Sequence, residues 1–247
     1  MEAPVPPTEP RRHALGTLGM ARRPGEGWAG FAERAANAFG LVLLLVVLLY
    51  VLSSLVVYGG WEAVLESALV GLCATVALVS AEARAEIVRA AGAASAAVVV
   101  LAIVSAAGGG PGWAGIGALI GAGLLAVAAI RVLATVLTER EVGFRTILGA
   151  ISVYVLIGLL FTFVYAGLDR VQSGRFFEQA TQTGDFVYFS VTTLTTTGYG
   201  NLIPAGQPGR MLSGLEMLIG QIFLVTLIAG LVSLWRPGRG YRGRANR

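Results

Sequence analysis

Polar and apolar residues are not mixed along this chain; they come in long blocks. After a polar stretch to residue 37, apolar runs recur at about 38–58 (AFGLVLLLVVLLYVLSSLVVY), 61–80, 91–107, 113–134, 146–167 and 211–235. A bilayer core is about 30 Å thick and a helix rises about 1.5 Å per residue, so each run is long enough to cross as a helix. The pattern predicts an all-α integral membrane protein with six transmembrane helices. The run at 91–107 is the shortest, and GGGPG at 108–112 is a turn that parts it from the next.

Composition agrees with burial in lipid. Mean hydropathy is +0.75 and only 13% of residues are charged, against about 25% in a soluble domain. Residues 1–37 are rich in Arg, Pro and Gly with no early apolar core, so no cleaved signal is expected and the first helix should stay as an anchor. All 18 basic residues are arginines. Every one except Arg170, Arg175 and Arg210 falls on one side of a six-helix topology: the N-terminal tail, the second-to-third and fourth-to-fifth connections, and the tail 236–247. By the positive-inside rule both termini are cytoplasmic. That split explains the net charge of +4 without nucleic acid. The arginine, alanine and glycine bias suggests a bacterial inner membrane. The single Cys73 lies in an apolar run and the single His13 in the polar tail, which leaves no metal ligand set, no nucleophile–base pair and no sign of an enzyme or organic cofactor.

The connection between the fifth and sixth runs, about 168–210, is the longest, and by the same topology it is extracellular. Loops of that length are usually functional or disordered. Residues 185–196 (DFVYFSVTTLTT) are too apolar and aromatic for disorder, so they read as a short buried helix that does not span, with Thr183 or Asp185 placed to cap it. TTTGYGN follows. Gly198 and Gly200 flank Tyr199 and permit unusual dihedrals. Irregular backbone at membrane depth is tolerated only where it is buried in protein or lines a cavity, and carbonyls turned one way can replace the water shell of a cation.

This stretch, TTTGYGN, resembles the selectivity filter of potassium channels. The resemblance covers residues 146–235 and implies a homotetrameric pore. Each subunit would supply an outer helix (146–167), a re-entrant pore helix (185–196), a filter loop (196–200) and an inner helix (211–235). Thr196, Thr197, Gly198, Tyr199 and Gly200 would form the filter, with K+ held by the carbonyls of Thr196 to Tyr199 and by the Thr196 hydroxyl. The pore helix would aim its negative end at the central cavity. Tyr199 would pack outward against Tyr188 and Phe189, in place of the tryptophans common in the family. Three positions depart from the usual pattern. Thr197 stands where Val is commonest, Asn201 where Asp often sits, and Thr192 where an acid often lies behind the filter. Asn201 removes a ring of four carboxylates, which implies weaker outer cation attraction.

Gly220 lies 20 residues after Gly200, matching the family's hinge glycine; close helix packing accounts for it equally well. Glu216 is an ionisable residue inside the inner helix, a functional candidate by default or an interface residue held by a polar neighbour. Six helices invite comparison with voltage-gated channels, yet the fourth helix carries only Arg131, near its inner end, so the 38–137 region lacks a voltage-sensor arginine series. Gly117 and Gly121 form a small-residue face for tight packing. Glu62 and Glu66 attract cations or sit at the interface. The basic tail 236–247 suits anionic lipid headgroups or simple anchoring. The sequence therefore leads to a potassium-selective channel, with a non-selective cation pore and a non-conducting membrane scaffold as the rival readings.

Overall fold

In the computed structural model, the described residues are 39–55, 61–139, 143–179, 181–182 and 184–230. The polar N-terminal tail with His13, the basic tail 236–247, Thr183, Arg140 and residues 231–235 of the sixth run lie outside them.

The described elements are helices: α1 (Phe39–Leu55), α2 (Glu62–Ser80), α3 (Ala85–Val104), α4 (Pro111–Thr138), α5 (Phe144–Val171), α6 (Gly184–Leu194) and α7 (Gln207–Phe223). Five apolar stretches, Glu62–Ser80, Ala85–Gly109, Pro111–Thr138, Arg145–Val171 and Gln207–Leu227, are long enough to cross a membrane; α1, at 17 residues, is apolar but shorter.

Several helices outrun their apolar blocks. α3 starts at Ala85 rather than 91, after an extended Arg84. Glu86 and Arg89 sit in its first turns, where α3 is exposed and the helix can extend past the hydrocarbon boundary. It then loosens into a π-type turn, Ser105–Gly109, whose Gly108 has φ +99°. Gly110, also at positive φ, passes the chain to Pro111 in the first turn of α4. α7 likewise starts at Gln207, four residues before 211, with Pro208 in its first turn. It becomes π-like at Leu224–Ile228.

The short link from α4 to α5 makes them antiparallel neighbours. Glycine brings them together: a Cβ on Gly115 would lie 3.1 Å from the Gly167 carbonyl oxygen, and one on Gly167 would lie 3.1 Å from that of Gly115. At the link, the Arg145 guanidinium lies 5.1 Å from the centre of the Phe39 ring of α1. Gly117 approaches Leu101 and Val98 of α3, while Gly121 approaches Val70 of α2. The glycine face expected from sequence thus meets α2 and α3, and Gly115, a third glycine of α4, carries the closer approach to α5.

The fourth layer is the short helix α6, held between α5, α7 and α1. The segments before and after it pair across the loop: Glu178 N–H donates to the Ile203 carbonyl at 3.0 Å and Ala205 N–H to that of Phe176 at 2.8 Å. Phe176, Phe177 and Phe189 pack edge to face with ring centres 4.8 to 6.5 Å apart, and Tyr165 joins them from α5.

Candidate functional site

α6 ends at Leu194, and the chain folds back over that end. Thr196 N–H donates to the Thr193 carbonyl at 3.0 Å and Thr197 N–H to the Thr192 carbonyl at 2.8 Å. These two bonds are the nested pair of a Schellman cap. The left-handed position of such a cap normally holds glycine; here it holds Thr196, with φ +57°. A β-branched residue in that region is strained by about 1–3 kcal/mol. The left-handed conformation then recurs at every second residue, at Gly198 (φ +52°) and Gly200 (φ +76°).

Carbonyl directions follow from the amides. Gly198 N–H also donates to the Thr192 carbonyl, at 3.1 Å. Among the described residues there are no cis peptide bonds, and in a trans peptide the C=O points opposite to its N–H. The carbonyls of Thr196 and Thr197 therefore face away from α6, towards the exposed side of the loop. The carbonyl end of α6 is correspondingly occupied. Thr192 O takes two amides and Thr193 O one, while Leu194 O has the Tyr154 hydroxyl at 3.4 Å. Little of the negative helix end expected to face a cavity is left free.

Of the two rings expected beside Tyr199, one lies there. The Tyr188 and Tyr199 rings stack at 6.1 Å with a 7° interplanar angle, and the Tyr188 hydroxyl reaches Asn201 Oδ1 at 3.3 Å. Phe189, one residue on and so about 100° round the helix, is buried in the Tyr165–Phe176–Phe177 cluster instead. Thr192 contributes its backbone carbonyl; its hydroxyl bonds the Phe189 carbonyl at 3.1 Å. Asp185 does not cap α6 in the expected sense: its carboxylate turns back to accept Gln182 N–H at 2.7 Å.

Gly220 sits in a close packing contact. A Cβ there would collide with the Leu194 carbonyl oxygen, so only glycine lets α7 touch the end of α6. The departure from regular helix comes a turn later, at Leu224–Ile228. Glu216, fully buried one turn before Gly220, accepts the Tyr165 hydroxyl at 2.6 Å and lies 2.5 Å from the Ser190 hydroxyl. Glu66 is buried within the protein, where its Oε1 accepts the Ser53 hydroxyl at 2.6 Å. Sequence reasoning passed over Tyr165, Ser190 and Gly158, which lie in three separate turns and acquire meaning only when Glu216 reaches them. No group of three or more His, Cys, Asp or Glu side chains fit to hold a metal ion occurs among the described residues; backbone carbonyls are the oxygen donors on offer.

A family model described as an ion channel matches residues 150–236. Over 91 residues, 37% of the chain, the sequence is 28% identical to two pore potassium channel a of Oryza sativa subsp. japonica. The chain spans about a quarter of that relative's length, the match covering 24% of it. No solved structure gives a significant match. With five membrane-length apolar helices, the chain is a multi-pass membrane protein, and its residues 150–236 are similar to the ion channel class. That class is not a class of enzymes.

Proposed function

We propose that the chain forms a potassium-selective channel, four copies lining one pore through residues 196–200. The observation that carries this is the alternating left-handed backbone at Thr196, Gly198 and Gly200, with the amides of Thr197 and Gly198 turned into the end of α6 and the carbonyls of Thr196 and Thr197 turned away from it. A one-sided carbonyl ladder is what a dehydrated cation needs, and little else needs it. The relative's name supports K+ as the ion.

The fourfold assembly has its own support. On α7, Met211, Leu215, Leu218, Ile222 and Val225 are all exposed. Their spacing alternates four and three residues, the seam by which helices pack on one another. The opposite face, Ser213, Glu216, Gly220 and Phe223, is buried against the subunit's own pore segment. Met217 and Tyr199 border an open groove of about 310 Å³ beside the filter, room for a neighbouring copy.

In this reading α1 to α5 and α7 make six crossings, α6 re-enters from the extracellular side, and both termini are cytoplasmic. A bacterial inner membrane fits the composition, and the arginine-rich ends suit anionic headgroups. K+ is cargo, and no organic cofactor is needed. Arg131 alone on α4 does not make a voltage sensor; its Nε is buried without a hydrogen-bond partner.

The test is flux from liposomes containing the purified chain, with K+ and Na+ compared and Gly198→Asp as control. K+ flux far above Na+ flux, abolished in the control, is the expected result. Equal fluxes would replace this reading with the non-selective cation pore. A protein that stays monomeric and passes neither ion would leave the scaffold reading.

A further inference from the structure

Ser190 makes two contacts that a single hydroxyl proton cannot serve. Its Oγ lies 2.6 Å from the Gly158 carbonyl oxygen of α5 and 2.5 Å from Glu216 Oε1 of α7. A serine hydroxyl has one proton to donate, a carbonyl can only accept, and an ionised carboxylate can only accept. Two oxygens this close with no proton between them repel. Ser190 therefore gives its proton to Gly158, which also accepts the Thr162 hydroxyl at 2.9 Å. The proton between Ser190 and Glu216 must then come from the glutamate. On the other side, Tyr165 donates to Glu216 Oε2 at 2.6 Å, which suits the carbonyl oxygen of a carboxylic acid.

We infer that Glu216 is a protonated, uncharged positioning residue, the centre of a relay running Tyr165 to Glu216 to Ser190 to the Gly158 carbonyl. The relay ties α7 and α5 to α6 at one level. One turn along the same face of α7, Gly220 presses on the Leu194 carbonyl at the foot of the filter loop. α6 is thereby fixed at Ser190 and Leu194, and the amides of Thr197 and Gly198 hang from Thr192 between them. The inner helix cannot shift without moving the support of residues 196–200. That consequence rests on the reading of those residues as a filter; the proton on Glu216 does not.

The experiment is infrared difference spectroscopy of the full chain in liposomes, wild type minus Glu216→Gln, with ion flux measured on the same samples. Glu66 is present in both proteins and cancels. The expected result is loss of the carbonyl-stretch band of a protonated carboxylic acid in Glu216→Gln, and a shift of that band in Ser190→Ala. Glutamine keeps one donor and one acceptor without charge, so it should rescue K+ selectivity that Glu216→Ala lowers by about tenfold. Glu216→Asp, too short to span both partners, should behave like alanine. Loss of a carboxylate band pair in place of the acid band would overturn the inference, as would a glutamine variant as impaired as alanine. If Glu216→Ala fails to assemble, Glu216→Gln and Ser190→Ala still decide the spectroscopic result. That result stands even if the wild type conducts no ion, so failure of the channel reading is told apart from failure of this one.

Discussion

Among the described residues two glutamates are buried, Glu66 and Glu216, and they are held differently. Glu66, in the α1–α4 region, accepts a hydroxyl from Ser53. It borders a small, partly open cavity of about 30 Å³ that Arg170 also lines, so a cation and room for water share its surroundings. Glu216, in the pore segment, contacts a tyrosine and a serine from two other helices, with no exposed surface. The first arrangement tolerates a charge and leaves space beside it. The second leaves no space and counts its protons. Glycine contacts do not divide so simply. Gly117 and Gly121 of α4 meet Leu101, Val98 and Val70 at 3.4–4.0 Å, which is ordinary contact, but a Cβ on Gly115 or Gly167 would lie 3.1 Å from the other's carbonyl oxygen across α4 and α5. Gly220 of α7 sits tighter still against a backbone carbonyl, that of Leu194.

The comparison can be broken most sharply at Gly220. Gly220→Ala drives a methyl into the Leu194 carbonyl oxygen; overpacking costs about 1–3 kcal/mol where side chains can shift, and more against backbone. Loss of selective K+ flux is expected, and wild-type flux from this variant would mean that α7 does not touch α6. Next comes Gly167→Ala, whose Cβ would stand 2.7 Å from Leu119 Cγ. It should lower the melting temperature of the detergent-solubilised protein through a cost of about 1–3 kcal/mol, with ion selectivity kept. A selectivity change as large as that of Gly220→Ala would erase the distinction between the regions.

Thr196→Gly should move stability and function in opposite directions. Relieving a left-handed threonine stabilises by about 1 kcal/mol, while the lost hydroxyl weakens discrimination between K+ and Na+; melting and flux ratios measured together check it. Glu66→Gln keeps an acceptor for Ser53, and a shift in stability of about 1 kcal/mol or less is expected, with unchanged flux. The smallest effect belongs to Asn201→Asp. An exposed carboxylate beside the filter should raise K+ flux modestly at low ionic strength, and the gain should vanish as salt screens it.

How much of this was legible beforehand depends on the range of the interaction involved. The unusual backbone of TTTGYGN could be read from residues alone because its signal is local: glycines at 198 and 200 announce the dihedrals they permit. The buried helix before it was legible for a similar reason, an apolar stretch too short to span. Boundaries were less so. Hydropathy marks where lipid begins, and α3 and α7 run past it because polar first turns remain helical at the interface. Thr196 at positive φ had no signal, since threonine does not ask for that conformation; the cap and the loop impose it.

The sequence by itself determined the membrane-buried, all-helical class and the short helix before the glycine-rich loop, because hydropathy and glycine placement act over a few residues. Only the tertiary structure decided what Glu216 and Gly220 are for. Their partners, Ser190 and Leu194 on α6 and Tyr165 on α5, lie 26 to 51 residues away in the chain, and no periodicity encodes a meeting that three separately formed helices make when they pack.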